Sequence, residues 1–308
     1  MLNTKDRVAY FSLEIGLTSD MKTYAGGLGI LAGDTLKSCA DMGLPVCGIS
    51  LLYHHGYFKQ KLQETTGVQL AENDDWDPAK FMTLEDKTFE IVLESRKVKV
   101  QIWRYDQTGV GGHVVPVYFL DTNLPENHFE DQAACFNLYS KYPNTRLKQE
   151  ILLGVGGVIA MKTLGFDISK YHLNESHAAF AVLALEDMLG SRENVIPKIV
   201  FTTHTPVEHG HKKYSPETIK NQLEDKLFAK LQGRDLADNT FNMTRFCLEN
   251  AAYSNGVAKK HGEVSRKCSQ DLKLIISPMV STPKAGLPGL LRRCLINIYQ
   301  AGTKIKIS

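Results

Sequence analysis

The residues best placed to do chemistry begin with a glycine-rich turn, Tyr24-Ala25-Gly26-Gly27-Leu28-Gly29-Ile30-Leu31-Ala32-Gly33-Asp34. It follows an apolar, strand-like run and leads into a helix-like one. Glycine lets backbone N–H groups approach an anion closely, and the positive end of the following helix dipole adds to the attraction. Gly26, Gly27, Leu28 and Gly29 therefore read as a seat for a phosphate or a sugar oxygen. The spacing is not the GxGxxG of a dinucleotide site, and no Gly-Lys-Ser/Thr follows, so nicotinamide cofactors and ATP lose support. A plain tight turn is the competing reading of the pattern.

His204 closes a strand-like run at the polar turn Thr202-Thr203-His204-Thr205-Pro206. There it could hydrogen-bond a substrate hydroxyl without carrying a proton, or simply cap the turn. Glu175 and His177 flank Ser176 where a strand gives way to a helix. One reading is N-capping by Asn174 or Ser176, with Glu175 complementing the dipole. The other places Glu175 and His177 in a sugar pocket. Glu14 interrupts an apolar run, where a buried carboxylate needs a partner or a job. Arg146 and Lys148 open a helix, where cations oppose the dipole, so a bound anion or buried carboxylates must compensate them. His204, His209 and His211 match no familiar zinc spacing and lack a completing cluster, so no metal is expected.

These residues need elements to position them. Val8–Ile15, Leu31–Met42 and Leu44–Tyr53 read as strand, helix and strand, with nearly continuous apolar strands of the kind covered on both faces. Thr88–Leu93 and Val98–Ile102 alternate around a charged turn, as in a hairpin with one wet face. Val114–Phe119 is a further strand, and Arg146–Leu164 has helical spacing. Ala178–Leu189 reads as a helix ended by Gly190, Ile199–Thr203 as a strand, and Met243–Lys260 as a helix. The alternation predicts an α/β fold with a doubly wound sheet and an inserted hairpin. Ligands then sit at the carboxyl ends of the strands, where these turns lie.

A chain of 308 residues allows one large α/β domain or two smaller ones. No apolar run is long enough to span a bilayer, and Met1–Asp6 lacks the apolar core of a signal peptide. The six cysteines form no CxxC pair and read as reduced thiols of a cytoplasmic protein. The net charge of +2 comes from Cys268–Ser308, which holds six basic residues and one acid. The rest has 30 basic and 33 acidic residues, so neither nucleic acid nor a membrane is an expected partner.

Several segments together resemble one family. Tyr10-Phe11-Ser12-Leu13-Glu14, Gly26-Gly27-Leu28-Gly29, Tyr53 with Gly56-Tyr57-Phe58 and Gln60, Arg146-Leu147-Lys148-Gln149-Glu150, Leu173-Asn174-Glu175-Ser176-His177 and His204-Thr205 occur in the order seen in α-glucan (glycogen, starch or maltodextrin) phosphorylases. The chain is similar to the amino-terminal half of the shorter microbial type, through Lys267. The resemblance implies the Rossmann-like N-terminal domain of a GT-B glycosyltransferase. It implies phosphorolysis of a terminal α-1,4-linked glucose to glucose 1-phosphate, with α-glucan and inorganic phosphate as partners, and commonly a homodimer. Pyridoxal phosphate would sit on a lysine of a second domain. Gly26, Gly27, Leu28 and Gly29 would contact phosphate and glucose, with Arg146 among the substrate- and phosphate-binding residues. His204 would touch the glucose, with Glu14, Glu175 and His177 around it.

The resemblance starts almost at the first strand, so no amino-terminal regulatory arm is expected, and no segment resembles the one bearing the cofactor lysine. The isolated chain is therefore expected to be inactive. The resemblance stops after Lys267, so 1–267 reads as the domain and Cys268–Ser308 as an aberrant tail. One adenine placed before the Cys268 codon lets the tail's DNA encode the family's Asn-Gly-Val-His segment, and the Met279–Val280 junction forces its glycine with any codons. A lost nucleotide near Lys267 is the expectation, with a tail that packs poorly. A nucleotide-sugar transferase such as a starch or glycogen synthase shares the architecture and a Gly-Gly-Leu-Gly turn, but the Arg146–Glu150 and Leu173–His177 segments argue against it. A non-catalytic glucan-binding fragment is the alternative from another class.

Overall fold

A computed structural model of the chain describes residues 7–57, 59–63, 66–67, 69–72, 74–205, 210–231, 234 and 239–257. The expected tail, Cys268–Ser308, lies outside the described residues, as do Phe58, Pro206 and His209. The strands are β1 (Arg7–Ser12), β2 (Val46–Leu51), β3 (Lys59–Leu62), β4 (Gln69–Glu72), β5 (Thr83–Leu93), β6 (Arg96–Thr108), β7 (Val114–Asp121), β8 (Ile168–Asn174), β9 (Ile199–Thr203), β10 (Lys213–Tyr214), β11 (Phe241–Asn242) and β12 (Tyr253–Gly256). The α-helices are α1 (Gly27–Asp41), α2 (Phe129–Gln132), α3 (Pro143–Ile151), α4 (Gly157–Leu164), α5 (Ala181–Leu189), α6 (Arg192–Val195), α7 (Pro216–Gln222), α8 (Asp225–Ala229) and α9 (Met243–Glu249).

Eight strands form one sheet in the order β12-β9-β8-β1-β2-β7-β6-β5. The pairs from β12 to β7 are parallel, and β6 and β5 add antiparallel pairs at one edge. Along β5 and β6, Phe89, Ile91, Leu93, Val98, Val100 and Ile102 are buried and alternate with more exposed neighbours, matching the one-wet-face pattern. The strands are longer than the alternation alone marks, because β6 pairs with both β5 and β7.

The sheet is covered on both faces. Val8, Tyr10, Val46, Val117 and Phe119 pack with Ala32, Leu36 and Cys39 of α1. Phe11, Ile49, Leu120 and Leu173 pack with Leu147, Ile151, Val158 and Leu183 from the helices of the other face, and with Phe180 at the start of α5. Because successive strand side chains point to opposite faces, Tyr10 and Phe11 serve different cores. From β1 the chain steps to β2 on one side, and β8 later takes the other side of β1. The strand order thus reverses at β1 and β8, which opens a crevice beyond their carboxyl ends.

Two sequence expectations change. Arg146–Leu164 is interrupted by a π-turn, Leu152–Gly156, between α3 and α4. The expected Met243–Lys260 helix ends at Glu249, and Tyr253–Gly256 instead pairs in parallel with β9. Asn255 explains the switch: its Oδ1 accepts from Thr202 Oγ1 at 2.9 Å, a bond to a residue in β9 that local periodicity does not register.

Candidate functional site

Three strands deliver the candidate residues to the crevice. Glu14 lies two residues beyond β1, Glu175 directly follows β8, and His204 directly follows β9. Side chains tie these ends together. Asn174 Nδ2 donates to Ser12 Oγ at 3.0 Å, so Asn174 presents its oxygen to His204 Nε2 at 2.7 Å. Ser12 Oγ in turn donates to the Glu14 carbonyl at 2.7 Å. With Oδ1 as acceptor, His204 carries its proton on Nε2.

Glu14 is buried and belongs to the glycine turn. Its Oε2 accepts the N–H groups of Ala25 at 2.7 Å and Gly26 at 3.1 Å, and its Oε1 accepts from the Tyr139 hydroxyl at 2.6 Å. The N–H of Gly26 is thus already used. At the start of α1, where Gly26 is the N-cap and has no side-chain cap bond, the first N–H groups have no helical partner. The donors that fit an anion are therefore those of Gly27, Leu28 and Gly29. A Cβ built on Gly26 or Gly27 would meet nothing within 4 Å, so this rim is open to a ligand. On the inner side, a Cβ on Gly29 would lie 2.8 Å from Glu14 Oε2, and one on Gly33 would strike the Gly16 carbonyl. Those two glycines let α1 press against the loop after β1, where Gly16 N–H donates to the Gly29 carbonyl at 2.8 Å.

Glu175 is buried, with φ at 71°, a left-handed value few non-glycine residues adopt. Its Oε1 accepts from Ser176 N–H at 2.8 Å, and its Oε2 from His204 N–H at 2.7 Å and Thr205 Oγ1 at 3.2 Å. Neither Asn174 nor Ser176 caps this turn, as the capping reading expected. Glu175 caps Ser176–Ala178, because Asn174 is drawn sideways to Ser12 and His204.

His177 and Arg146 both pack against the Tyr139 ring. The His177 ring meets it edge-on at 5.8 Å, and the Arg146 guanidinium stands 4.5 Å from the ring centroid. Burial first, then the charge of Arg146, pushes the His177 imidazole well below its usual range, so it stays neutral. Arg146 Nε donates to Glu150 Oε1 at 2.8 Å, and the Tyr214 hydroxyl to Glu150 Oε2 at 2.8 Å. Lys148 reaches Asp131 and Glu94, each at 2.9 Å. Buried carboxylates offset both cations, Glu150 for Arg146 and Asp131 with Glu94 for Lys148, while the buried Arg146 Nη1 has no partner among the described residues. Arg146 also reaches toward the glycine turn through the Tyr139 ring, whose hydroxyl donates to Glu14.

Tyr139 and Ser12 were not singled out from the sequence, and Asn174 only as a helix cap. Tyr139 sits in an irregular segment at φ 54° with no periodic or motif signal, so only its contacts reveal it. Among the described residues no three His, Cys, Asp or Glu side chains gather to hold a metal. Cys39, Cys47, Cys135 and Cys247 are buried free thiols. No helix of the described residues is long and apolar enough to cross a membrane.

Residues 15–118 match the family model described as carbohydrate phosphorylase. That match starts beside Glu14 and takes in the glycine turn, α1 and β2. A longer similarity extends over the remaining strand ends: a maltodextrin phosphorylase of Thermococcus litoralis is 35% identical over 285 residues, 85% of this chain and 33% of that protein. The chain is a relative of the carbohydrate phosphorylases. A glycogen phosphorylase of Mycobacterium tuberculosis is 33% identical over 86% of this chain and 34% of its own length. One of Aquifex aeolicus is 33% identical over 85% of this chain and 41% of its own length. The chain thus spans about a third to two fifths of these phosphorylases. Its mixed α/β architecture, with a mostly parallel central sheet, fits a phosphorylase fold of the glycosyltransferase kind.

Proposed function

We propose that the chain supplies one wall of an α-glucan phosphorylase site, which transfers the terminal α-1,4-linked glucose of a glucan to inorganic phosphate and releases glucose 1-phosphate. The observation that carries the reading is the convergence of the glycine turn, Glu175 and His204 on the crevice where the strand order reverses. The N–H groups of Gly27, Leu28 and Gly29 bind phosphate oxygens at the positive end of α1. His204, held by Asn174 and Glu175, presents its ring and carbonyl to the glucose. Glu14 orients the turn rather than transferring a proton, since both its oxygens are engaged. The neutral His177 imidazole lies in the surrounding shell.

Pyridoxal phosphate, when bound, supplies a phosphate that exchanges a proton with the substrate phosphate. The donor set at the start of α1 fits a phosphate-bearing group. The buried lysines do not fit as its covalent anchor: Lys148 is committed to Asp131 and Glu94, and Lys170 donates to the Pro197 carbonyl at 2.6 Å. The reading therefore includes a second Rossmann-like domain of a GT-B enzyme that carries the cofactor. It includes a cytoplasmic location, 1–267 as the amino-terminal domain with β5 and β6 as its inserted hairpin, and Cys268–Ser308 as an out-of-frame product.

The test is glucose 1-phosphate release from maltodextrin and inorganic phosphate with added pyridoxal phosphate. The 308-residue chain alone is expected to be inactive, because positioning catalysis needs both walls. Restoring one adenine before the Cys268 codon in the locus is expected to yield a longer, active product. An inactive longer product that folds and binds the cofactor overturns the reading.

A further inference from the structure

We infer that the cavity beside the glycine turn is a separate glucan subsite, which holds one pyranose unit of the chain against Tyr57. The inference rests on the α-glucan reading above and adds a place for sugar lined by residues other than Gly27–Gly29, Glu175 and His204. The cavity, of about 310 Å³, is built from the segments around Lys22, Tyr24–Ala25, His55–Tyr57, Asp74 and Asn137. Its size suits a small ligand or one sugar unit.

The wall chemistry selects a neutral polyhydroxyl ligand. Tyr57 leaves 57% of its surface exposed at the rim, an aromatic face on which the C–H side of a pyranose can lie. Lys22 Nζ and Asp74 Oδ2 pair at 2.8 Å with side chains only 22% and 14% exposed, so a charged donor and a charged acceptor stand side by side at fixed spacing. Adjacent sugar hydroxyls, each both donor and acceptor, match such a pair. Asn137 Nδ2 donates to the Gly56 carbonyl at 3.2 Å, which leaves its amide oxygen as a further acceptor. An anion is disfavoured: Asp74 lines the cavity and neutralises its single lysine, and Asp75 pairs with the lining His55 at 2.7 Å.

The place of the cavity gives the subsite its use. Ala25 lines it, and the Ala25 N–H is held by Glu14 at 2.7 Å. A sugar on Tyr57 therefore borders the turn that carries the phosphate donors of Gly27–Gly29. Binding there anchors one part of a chain while another part reaches the crevice, an intramolecular gain in effective concentration.

The test is titration of maltopentaose into the full 308-residue chain, followed by backbone amide shifts and by affinity. The amides of Gly56, Tyr57 and Asn137 are expected to shift. Tyr57→Ala is expected to weaken binding roughly tenfold, as loss of an aromatic anchor does. Tyr57→Trp keeps an aromatic face, should restore affinity, and should show fluorescence quenching on binding. Far-UV circular dichroism confirms that the variants fold. Unchanged affinity in a folded Tyr57→Ala variant, no maltopentaose binding at all, or amide shifts there with inorganic phosphate alone would each overturn the subsite. Maltopentaose bound at Tyr57 in a protein whose frame-restored product never releases glucose 1-phosphate would keep the subsite and sink the phosphorylase reading. Turnover by that product with an affinity indifferent to Tyr57→Ala would do the reverse.

Discussion

Glu175 holds His204 by its backbone: the carboxylate Oε2 accepts the His204 N–H at 2.7 Å across 29 positions of sequence. The other oxygen takes the neighbouring Ser176 N–H at 2.8 Å. This double use explains how a glutamate is kept at φ 71°, where its own backbone preference opposes it. Glu175→Gln keeps the size but turns one acceptor into an NH2 group facing an N–H. Stability is expected to fall by about 1–3 kcal/mol in urea unfolding, with faster hydrogen exchange at the His204 amide. Unchanged exchange at that amide would show that Glu175 does not set the turn.

The glycines of the turn separate into two kinds. Gly33→Ala drives a methyl into the Gly16 carbonyl and is expected to cost about 1–3 kcal/mol in thermal or urea unfolding. Gly27→Ala meets open space at the first turn of α1, so stability is expected to hold or rise by up to about 1 kcal/mol. The same methyl crowds an incoming phosphate, so binding of inorganic phosphate should weaken while the melting temperature does not fall. Equal phosphate affinity in Gly27→Ala would remove this turn as the phosphate seat.

Tyr139 and Glu14 should behave as one unit. Their 2.6 Å bond joins the glycine turn to the segment before α3. Burial first, and then the Glu14 charge, pushes the Tyr139 phenol well above its usual range, so it remains a donor. A double-mutant cycle with Tyr139→Phe and Glu14→Gln is expected to give a coupling of about 0.5–3 kcal/mol. A coupling near zero would mean that the turn is held by Glu14 alone.

Acid should loosen the fold through His172. Its imidazole lies fully buried against Thr202 Oγ1 at 2.8 Å, and burial, then the His204 charge, pushes it down to about 3. The unfolded histidine takes up a proton near pH ~6.5, so between about pH 6.5 and the folded value the unfolded state binds the extra proton. Stability therefore falls as pH drops through that window, by up to about 1.4 kcal/mol per pH unit for this group. His172→Gln is expected to be less stable at neutral pH but to show a flatter decline on acidification, measured as urea midpoints at several pH values. An equally steep decline in that variant would assign the acid sensitivity to other groups.

The parallel strands, α1 and the hairpin were legible because their signals are local: continuous apolar runs, a glycine turn and period-two alternation. β12 was not, since Tyr253–Gly256 is short and takes its conformation from pairing with β9. Glu14, Glu175 and His204 were legible as candidates because polar residues at the ends of apolar strands stand out. Their partners were less so. Tyr139 meets Glu14 across 125 positions, and Asn174 meets Ser12 across 162.

Sequence alone determined that a glycine turn, a carboxylate and a histidine would stand at strand ends, because strand ends and turns are written in neighbouring residues. It also carried the phosphorylase kinship, through motifs whose order survives without coordinates. Only the tertiary structure decided which groups are spent and which face outward. Glu14 consumes the N–H of Gly26, Glu150 consumes the Nε of Arg146, and the N–H groups of Gly27–Gly29 at the start of α1 are left without a helical partner. Whether a buried charge meets a distant partner or a ligand is settled by packing, since desolvation forces each group to find whichever partner folding brings within reach.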